Sequence, residues 1–167
     1  DATIALIEAG PHTQRNLFVN MPVGVAVVVP NKLKTNYAYL TTPQAGLGGR
    51  QGYQPRGRGF GGSSAINAMI YTRGHPLDYD EWAQLGCDGW SWQDVLPYFR
   101  RAEGNERGAD AWHGDSGPLS VSDLRYRNPF SKRFGQAAIE AGYKANSDFN
   151  GADQEGIGFY QVTQRDG

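Results

Sequence analysis

Arg56-Gly57-Arg58-Gly59-Phe60-Gly61-Gly62-Ser63-Ser64-Ala65-Ile66-Asn67-Ala68-Met69 is the stretch on which the fold turns. Gly59, Gly61 and Gly62 surround one large apolar residue, Phe60. Glycine permits positive φ and lets a ligand approach where a Cβ would block it. Ser63 and Ser64 are good helix N-caps, and the run from Ala65 to Met69 can propagate a buried helix. A glycine-rich turn opening into a helix aims several N–H groups at one spot, backed by the positive end of the dipole. Arg56 and Arg58 add candidate charge-assisted donors. Two readings stay open from spacing alone: a seat for an anion such as a pyrophosphate, or a tight turn that packs a helix on a sheet.

Outward from this stretch, the spacing predicts a helix from about Ser63 to Tyr71, ended by Gly74 and buried on all sides. Asn67 is its polar exception, tied either to protein backbone or to a ligand. Upstream, Ala2-Thr3-Ile4-Ala5-Leu6-Ile7 reads as a strand covered on both faces, as in a parallel sheet. It ends at Glu8, which is either a ribose-binding carboxylate or a solvated loop residue. The apolar run 25–29 is a helix or a strand. Residues 36–42 alternate and read as a strand, followed by a glycine-rich loop over 43–52.

Downstream, Pro76 suits a first helical turn with acidic residues at its positive end, and Gly86 stops that helix. Ser91-Trp92-Gln93-Asp94 resembles a capping box. Trp92, Val95, Leu96 and Phe99 then share one helical face, with Pro97 as a kink. Trp82, Trp90 and Trp92 read as core. Residues 100–110 read as a charged, solvated loop. A short strand is expected over 118–122, a helix from Asn128-Pro129 to Gly142, and a last strand over 159–164 that enters a turn at Arg165-Asp166-Gly167. The abrupt ends lead us to expect an internal segment of a longer protein.

Composition narrows the function. A hydrophobic content of 39% suits a packed fold rather than disorder. Net charge is −1, so no basic surplus points to nucleic acid and no polybasic block to a membrane surface. No window approaches the roughly 18 apolar residues of a transmembrane helix. The single cysteine, Cys87, cannot form an internal disulfide, which fits a reducing compartment. His12, His75 and His113 are far apart and show no metal-ligand spacing, so no metal is expected. No nucleophile elbow and no general base can be nominated from spacing.

The run from Arg56 to Gly74, with Asp78-Tyr79-Asp80-Glu81-Trp82 after it, closely resembles the first signature of the glucose–methanol–choline (GMC) family of FAD-dependent oxidoreductases. Leu6-Ile7-Glu8-Ala9-Gly10 looks like the end of that family's second dinucleotide-binding strand. Gly89-Trp90-Ser91-Trp92, Leu96-Pro97-Tyr98-Phe99, His113-Gly114 and Phe149-Asn150-Gly151 are similar to its choline-dehydrogenase-like bacterial members. The resemblance implies an α/β protein (α+β within this segment). Residues 1–75 would be part of a Rossmann-like FAD-binding domain, and 76–167 a helical connection and the start of the substrate-binding domain.

The resemblance also implies roles. Glu8 would bind the adenosine ribose. Arg56, Gly61, Gly62 and Ser63 would lie along the FAD pyrophosphate and ribityl region. Asn67, Ala68, Met69 and Ile70 would approach the flavin ring. Some members attach FAD through a histidine just before this asparagine; here Ile66 stands there, so noncovalent FAD is implied. The implied reaction oxidises a primary alcohol, choline-like or other, by hydride transfer to flavin N5, with quinone or O2 as the open choice of acceptor. The catalytic base is expected beyond Gly167. The expected location is cytoplasmic, with peripheral membrane association as a variant for the full-length protein. Alternatives are a hydroxynitrile-lyase-type member of the same fold, or an isolated piece that only binds or is inert.

Overall fold

A computed structural model describes residues 3–165. The chain divides into two compact units, Asp1–Ala68 and Met69–Gly167.

In the first unit, residues 3–7 form no strand. A both-faces-covered strand needs neighbours, and none pairs with it among the described residues; Ile4 and Ile7 are about 90% exposed. Ala2, the first residue of the expected strand, lies outside the described residues. Helix α1 (Leu17–Asn20) begins at Asn16, whose side chain accepts from Phe18 N at 3.0 Å. The ambiguous valine run becomes helix α2 (Val25–Val28), in which Val28 is buried. β-Branched residues disfavour helix locally, but Gly24 lets the turn before α2 lie against the Phe18 carbonyl, where a Cβ would collide. The expected strand over 36–42 shrinks to β1 (Tyr39–Leu40), paired antiparallel with β2 (Tyr53–Gln54).

The centre of this unit is polar. Asn36 is fully buried. Its Nδ2 lies 3.0 Å from the carbonyls of Val28, Val29 and Asn31 and from the Tyr53 hydroxyl. Its Oδ1 accepts from Ala38 N and Arg56 N, each at 3.0 Å. One amide thus joins α2, the approach to β1 and the entrance to the glycine stretch. It also holds Ala38 at a φ of 50°, a left-handed conformation that alanine rarely adopts.

The helix expected over 63–71 is replaced by a four-residue 3-10 turn, Gly62–Ala65. Ile66 leaves helical geometry at φ −132°, and Met69 has a φ of 61°. Ile70 and Tyr71 form β3, the first element of the second unit. A long-range pairing overrides local helical preference there: β3 (Ile70–Tyr71) runs antiparallel to β6 (Gln161–Val162). All-round burial is absent as well, since Ile66 is buried while Asn67, Ala68 and Ile70 are exposed.

In the second unit the helices start where their caps demand. Helix α3 (Pro76–Gln84) has Pro76 in its first turn and a reciprocal box between His75 and Asp78. Helix α4 (Trp92–Ala102) has the same box between Ser91 and Asp94. Trp92, Val95, Leu96 and Phe99 form its half-buried face, while Gln93, Asp94, Pro97 and Tyr98 are exposed. Tyr79 meets Trp82 edge-on at 5.5 Å and Phe99 at 5.8 Å, joining α3 to α4. Trp92 is half-buried in this cluster, but Trp82 and Trp90 stay about half exposed.

The charged loop expected at 100–110 is largely structure. α4 continues to Ala102 and passes directly into β4 (Glu103–Asn105), which lies parallel to β5 (Leu119–Val121). Glu103 and Asn105 point inward and are buried. Ser122 exchanges main-chain hydrogen bonds with Val162, bringing β6 beside the end of β5. Helix α5 (Pro129–Glu140) starts at Asn128, as its cap predicts, although Phe130 and Phe134 on its apolar stripe are exposed. The last strand is shorter than expected and pairs with β3; Asp166 and Gly167 of the expected turn lie outside the described residues.

Candidate functional site

The glycine bend in the first unit is packed from one side and open on the other. Gly59, Gly61 and Gly62 have φ of 129°, 91° and 52°. A Cβ on Gly57 would land on the Gly62 carbonyl, and one on Gly59 would lie 2.6 Å from the Thr13 methyl and 2.8 Å from the Pro11 carbonyl. The Thr13 hydroxyl donates to the Phe60 carbonyl at 2.5 Å, and the His12 and Phe60 rings lie 4.7 Å apart. On the other side, a Cβ on Gly62 would meet nothing within 4 Å. Such a surface lets a bulky ligand touch main chain.

Glu8 fastens this bend. Its Oε1 accepts from Gly59 N at 2.9 Å and from Gly10 N at 2.7 Å. Its other oxygen receives no hydrogen bond among the described residues. Gly57 N donates to Ser63 Oγ at 3.1 Å, closing the turn from within. Gly62, Ser64 and Ile66 donate to carbonyls three residues back. The amides of Gly61 and Ser63 make no hydrogen bond among the described residues and remain as donors. No α-helix follows, so the dipole expected behind the bend is only that of one short turn; an anion here would be held by individual amides and cations.

The arginines differ from one another. Arg56 is exposed, and its main-chain N–H is taken by Asn36. Arg58 lies with its guanidinium 5.6 Å from the Tyr37 ring centre, and its Nε is buried without a hydrogen-bond partner among the described residues. A buried donor without an acceptor is costly unless a ligand supplies one. Asn67 and Ala68 are exposed at the end of the first unit. In the second unit, the Met69 carbonyl accepts from Thr163 N at 2.8 Å, and Ile70 faces Val162 across the strand pair.

The most elaborate polar cluster lies in the second unit and is assembled from residues far apart in the sequence. Arg73 Nη2 donates to Glu103 Oε2 at 2.6 Å, with both side chains almost wholly buried. Glu103 Oε1 lies 2.9 Å from His113 Nδ1 and accepts from Asn105 Nδ2 at 2.9 Å. His113 Nε2 lies 3.0 Å from Asp148 Oδ2. Asn105 and Gln161 bond each other through both amides, at 2.8 and 3.0 Å. Burial alone would push the Glu103 carboxyl up, but hydrogen bonds from His113 and Asn105 and the charge of Arg73 outweigh it and hold the group below its ordinary value. His113 is raised, chiefly by its bond to Glu103, against burial and with help from Asp148. No local signal marks Glu103, which follows Arg100, Arg101 and Ala102 and precedes more charged residues. His75, by contrast, is the helix-start residue that its neighbour Pro76 suggests.

No group of three or more potential metal ligands occurs among the described residues, and no described helix is long and apolar enough to cross a membrane. The family model for GMC oxidoreductase matches residues 14–167. An alcohol dehydrogenase [acceptor] of Pseudomonas putida is 48% identical over 98% of this chain and 30% of its own length. A mitochondrial choline dehydrogenase of Mus musculus is 42% identical over 98% of the chain and 28% of its own length. Among solved structures, pyridoxine 4-oxidase from Mesorbium loti superposes with a TM-score of 0.86 at 30% identity, over 95% of this chain and 31% of that one. An FAD-dependent oxidoreductase from Chaetomium thermophilum gives a TM-score of 0.76, also at 30% identity. The chain therefore spans about 30% of the length of the curated relatives it matches.

Proposed function

The chain belongs to the GMC oxidoreductase family, and from that premise we propose that it forms part of the cofactor bed of an FAD-dependent enzyme that oxidises a primary alcohol, choline-like or other. Residues 1–75 would belong to the FAD-binding domain, and 76–167 would open the substrate-binding domain. The observation that carries the proposal is the one-sided bend: Gly61 and Gly62 are both in left-handed geometry and Gly62 faces open space, beside a Gly59 amide pinned by Glu8.

Each residue has a physical task in this assignment. The second oxygen of Glu8 would accept from ribose hydroxyls while the first keeps the bend in place. The Gly61 and Ser63 amides, Gly62 and Arg56 would line the pyrophosphate and ribityl region, where main-chain donors serve anions well. Asn67, Ala68, Met69 and Ile70 would approach the ring. Ile66, buried and aliphatic, offers no atom for covalent attachment, which supports noncovalent FAD. When bound, the flavin supplies the hydride acceptor; the protein's part is to bind and orient it. The base that takes the hydroxyl proton would lie outside this chain, and the final electron acceptor would be a quinone or O2. A cytoplasmic location accompanies the proposal.

The test is to purify the intact protein and record its visible flavin absorption, then precipitate it with acid. The expected result is a flavin band whose chromophore stays in the supernatant, together with dye reduction driven by an alcohol. A protein that takes up no FAD would overturn the proposal; flavin remaining with the precipitate would overturn the noncovalent assignment.

A paired substitution checks the bend itself. Gly62→Ala meets no steric obstacle, so its folding penalty should be only the left-handed backbone, about 1–2 kcal/mol. Its methyl projects into the open face, and FAD affinity, measured by fluorescence quenching, should fall further than stability does. Gly57→Ala instead drives a methyl into the Gly62 carbonyl and should unfold the bend. Equal FAD affinity in Gly62→Ala and the parent would remove the bend from the cofactor bed.

A further inference from the structure

His113 sits between two carboxylates, with Nδ1 2.9 Å from Glu103 and Nε2 3.0 Å from Asp148. A carboxylate can only accept, so both ring nitrogens must donate, and only the imidazolium can do that. The neighbouring amide agrees. Asn105 Nδ2 lies 3.2 Å from His113 Nδ1, but its two hydrogens are committed to Glu103 Oε1 and Gln161 Oε1. The amide cannot be turned over, because Asn105 Oδ1 accepts from Arg107 N and Gln161 Nε2. Nothing therefore remains to donate to Nδ1, which must itself be the donor. Arg73, Glu103, His113 and Asp148 then alternate in sign along one chain of contacts, with no charge left over.

We propose that His113 is a proton-operated latch: its imidazolium ties the 146–151 turn, through Asp148, to the buried Glu103–Arg73 pair, and loss of that proton frees the turn. The proposal stands on side-chain geometry and does not rest on the cofactor assignment. Glu103 is buried and also accepts from Arg73, Asn105 and Gly114 N, so the remaining proton of a neutral His113 stays on Nδ1. The Nε2 lone pair then faces the Asp148 carboxylate and repels it. Asp148 Oδ1 accepts from Asn150 N at 2.9 Å. Asn150 in turn accepts from Arg73 N at 2.8 Å and donates to the Tyr71 carbonyl at 3.2 Å. Release at Asp148 is thereby passed to the residues just after β3.

The other charged groups around His113 do not reverse this. Asp110 Oδ1 accepts from the main-chain N–H of His113 and of Trp112, and its charge favours the imidazolium. Arg100, on α4, donates to the His113 carbonyl at 3.4 Å, on the main-chain side. With the folded pKa of His113 raised, the stabilisation is complete below the unfolded value of about 6.5 and is lost as pH climbs through the higher folded value.

The experiment is amide hydrogen exchange on the intact protein, from about pH 5.5 to about pH 8.5 around the ordinary histidine value, corrected for intrinsic base catalysis. Protection of the Asn150 and Arg73 amides should fall several-fold through the titration of His113 followed by NMR. In Asp148→Asn, where the turn has no carboxylate to repel, that step should vanish and His113 should titrate lower. Flat protection at Asn150 and Arg73, an unchanged step in Asp148→Asn, or a His113 that titrates at or below the ordinary value would each overturn the latch.

Discussion

Arg73→Met is expected to destabilise the second unit by about 3–5 kcal/mol, the usual consequence of removing one partner of a buried ion pair. Methionine keeps much of the aliphatic stem, which lies where the guanidinium packs 5.3 Å from the Phe99 ring centre and 5.7 Å from that of Tyr71. The losses are charge and donors. Glu103 Oε2 forfeits its 2.6 Å partner while remaining sealed from water, and the Trp112 carbonyl forfeits a donor at 2.8 Å. Urea unfolding followed by tryptophan fluorescence would measure the change. The double variant Arg73→Met with Glu103→Gln should recover part of it, because an uncharged Glu103 position no longer needs a cation.

The pH dependence should move with it. Glu103 is held below its ordinary value, so its contribution is present above the unfolded carboxyl value of about 4.3 and is lost as pH falls through the lower folded one. Without Arg73 that loss should begin at a higher pH. A variant as acid-resistant and as urea-resistant as the parent would show that water reaches Glu103 freely, contrary to its zero exposure.

Asn36→Ala should be nearly as severe in the first unit. Truncation strips one donor group from the carbonyls of Val28, Val29 and Asn31 and one acceptor from the amides of Ala38 and Arg56. Each polar group left buried and unpaired costs about 1–3 kcal/mol, so a total of about 3 kcal/mol or more is expected. Ala38 would also be free to leave its left-handed conformation, which slackens the start of β1. Because Arg56 N hangs on the same amide, FAD affinity should weaken alongside thermal stability. Asn36→Asp keeps the two acceptor contacts but sets a carboxylate oxygen against the carbonyls of Val28, Val29 and Asn31 in a fully buried position, so it should be at least as destabilising as Asn36→Ala. If Asn36→Ala melts with the parent, α2 and the glycine stretch are not joined through this side chain.

Elements whose instructions are local were legible in the sequence. His75-Pro76, Ser91 with Asp94, and Asn128-Pro129 each satisfy the first free N–H groups of a helix with atoms two or three residues away, so α3, α4 and α5 start where composition says. The glycines of the bend were legible for the same reason. Residues whose fate depends on distant partners were not. Ile70 and Tyr71 leave the expected helix because Val162 and Gln161 claim them across the sheet. Glu103 looks solvated beside its charged neighbours until Arg73 and His113 are brought to it. Glu8 could be singled out, but its grip on Gly59, 51 residues away, is written nowhere near either residue. The cofactor assignment came through the resemblance to a family, because a glycine cluster by itself leaves a plain turn equally open.

The junction at Ala102 and Glu103, where helix meets strand without a spacer, limits how this region can drift in length. Each residue added to or removed from α4 rotates the downstream chain by about 100° about the helix axis. One deletion would swing the Glu103 carboxylate away from its cation and turn Phe99 off the aromatic cluster at the same time. Descendants of this chain should therefore keep the count from Ser91 to Asn105 fixed, and place any added residue at the exposed Ala109, between the contacts of Arg107 and those of Asp110 and Trp112.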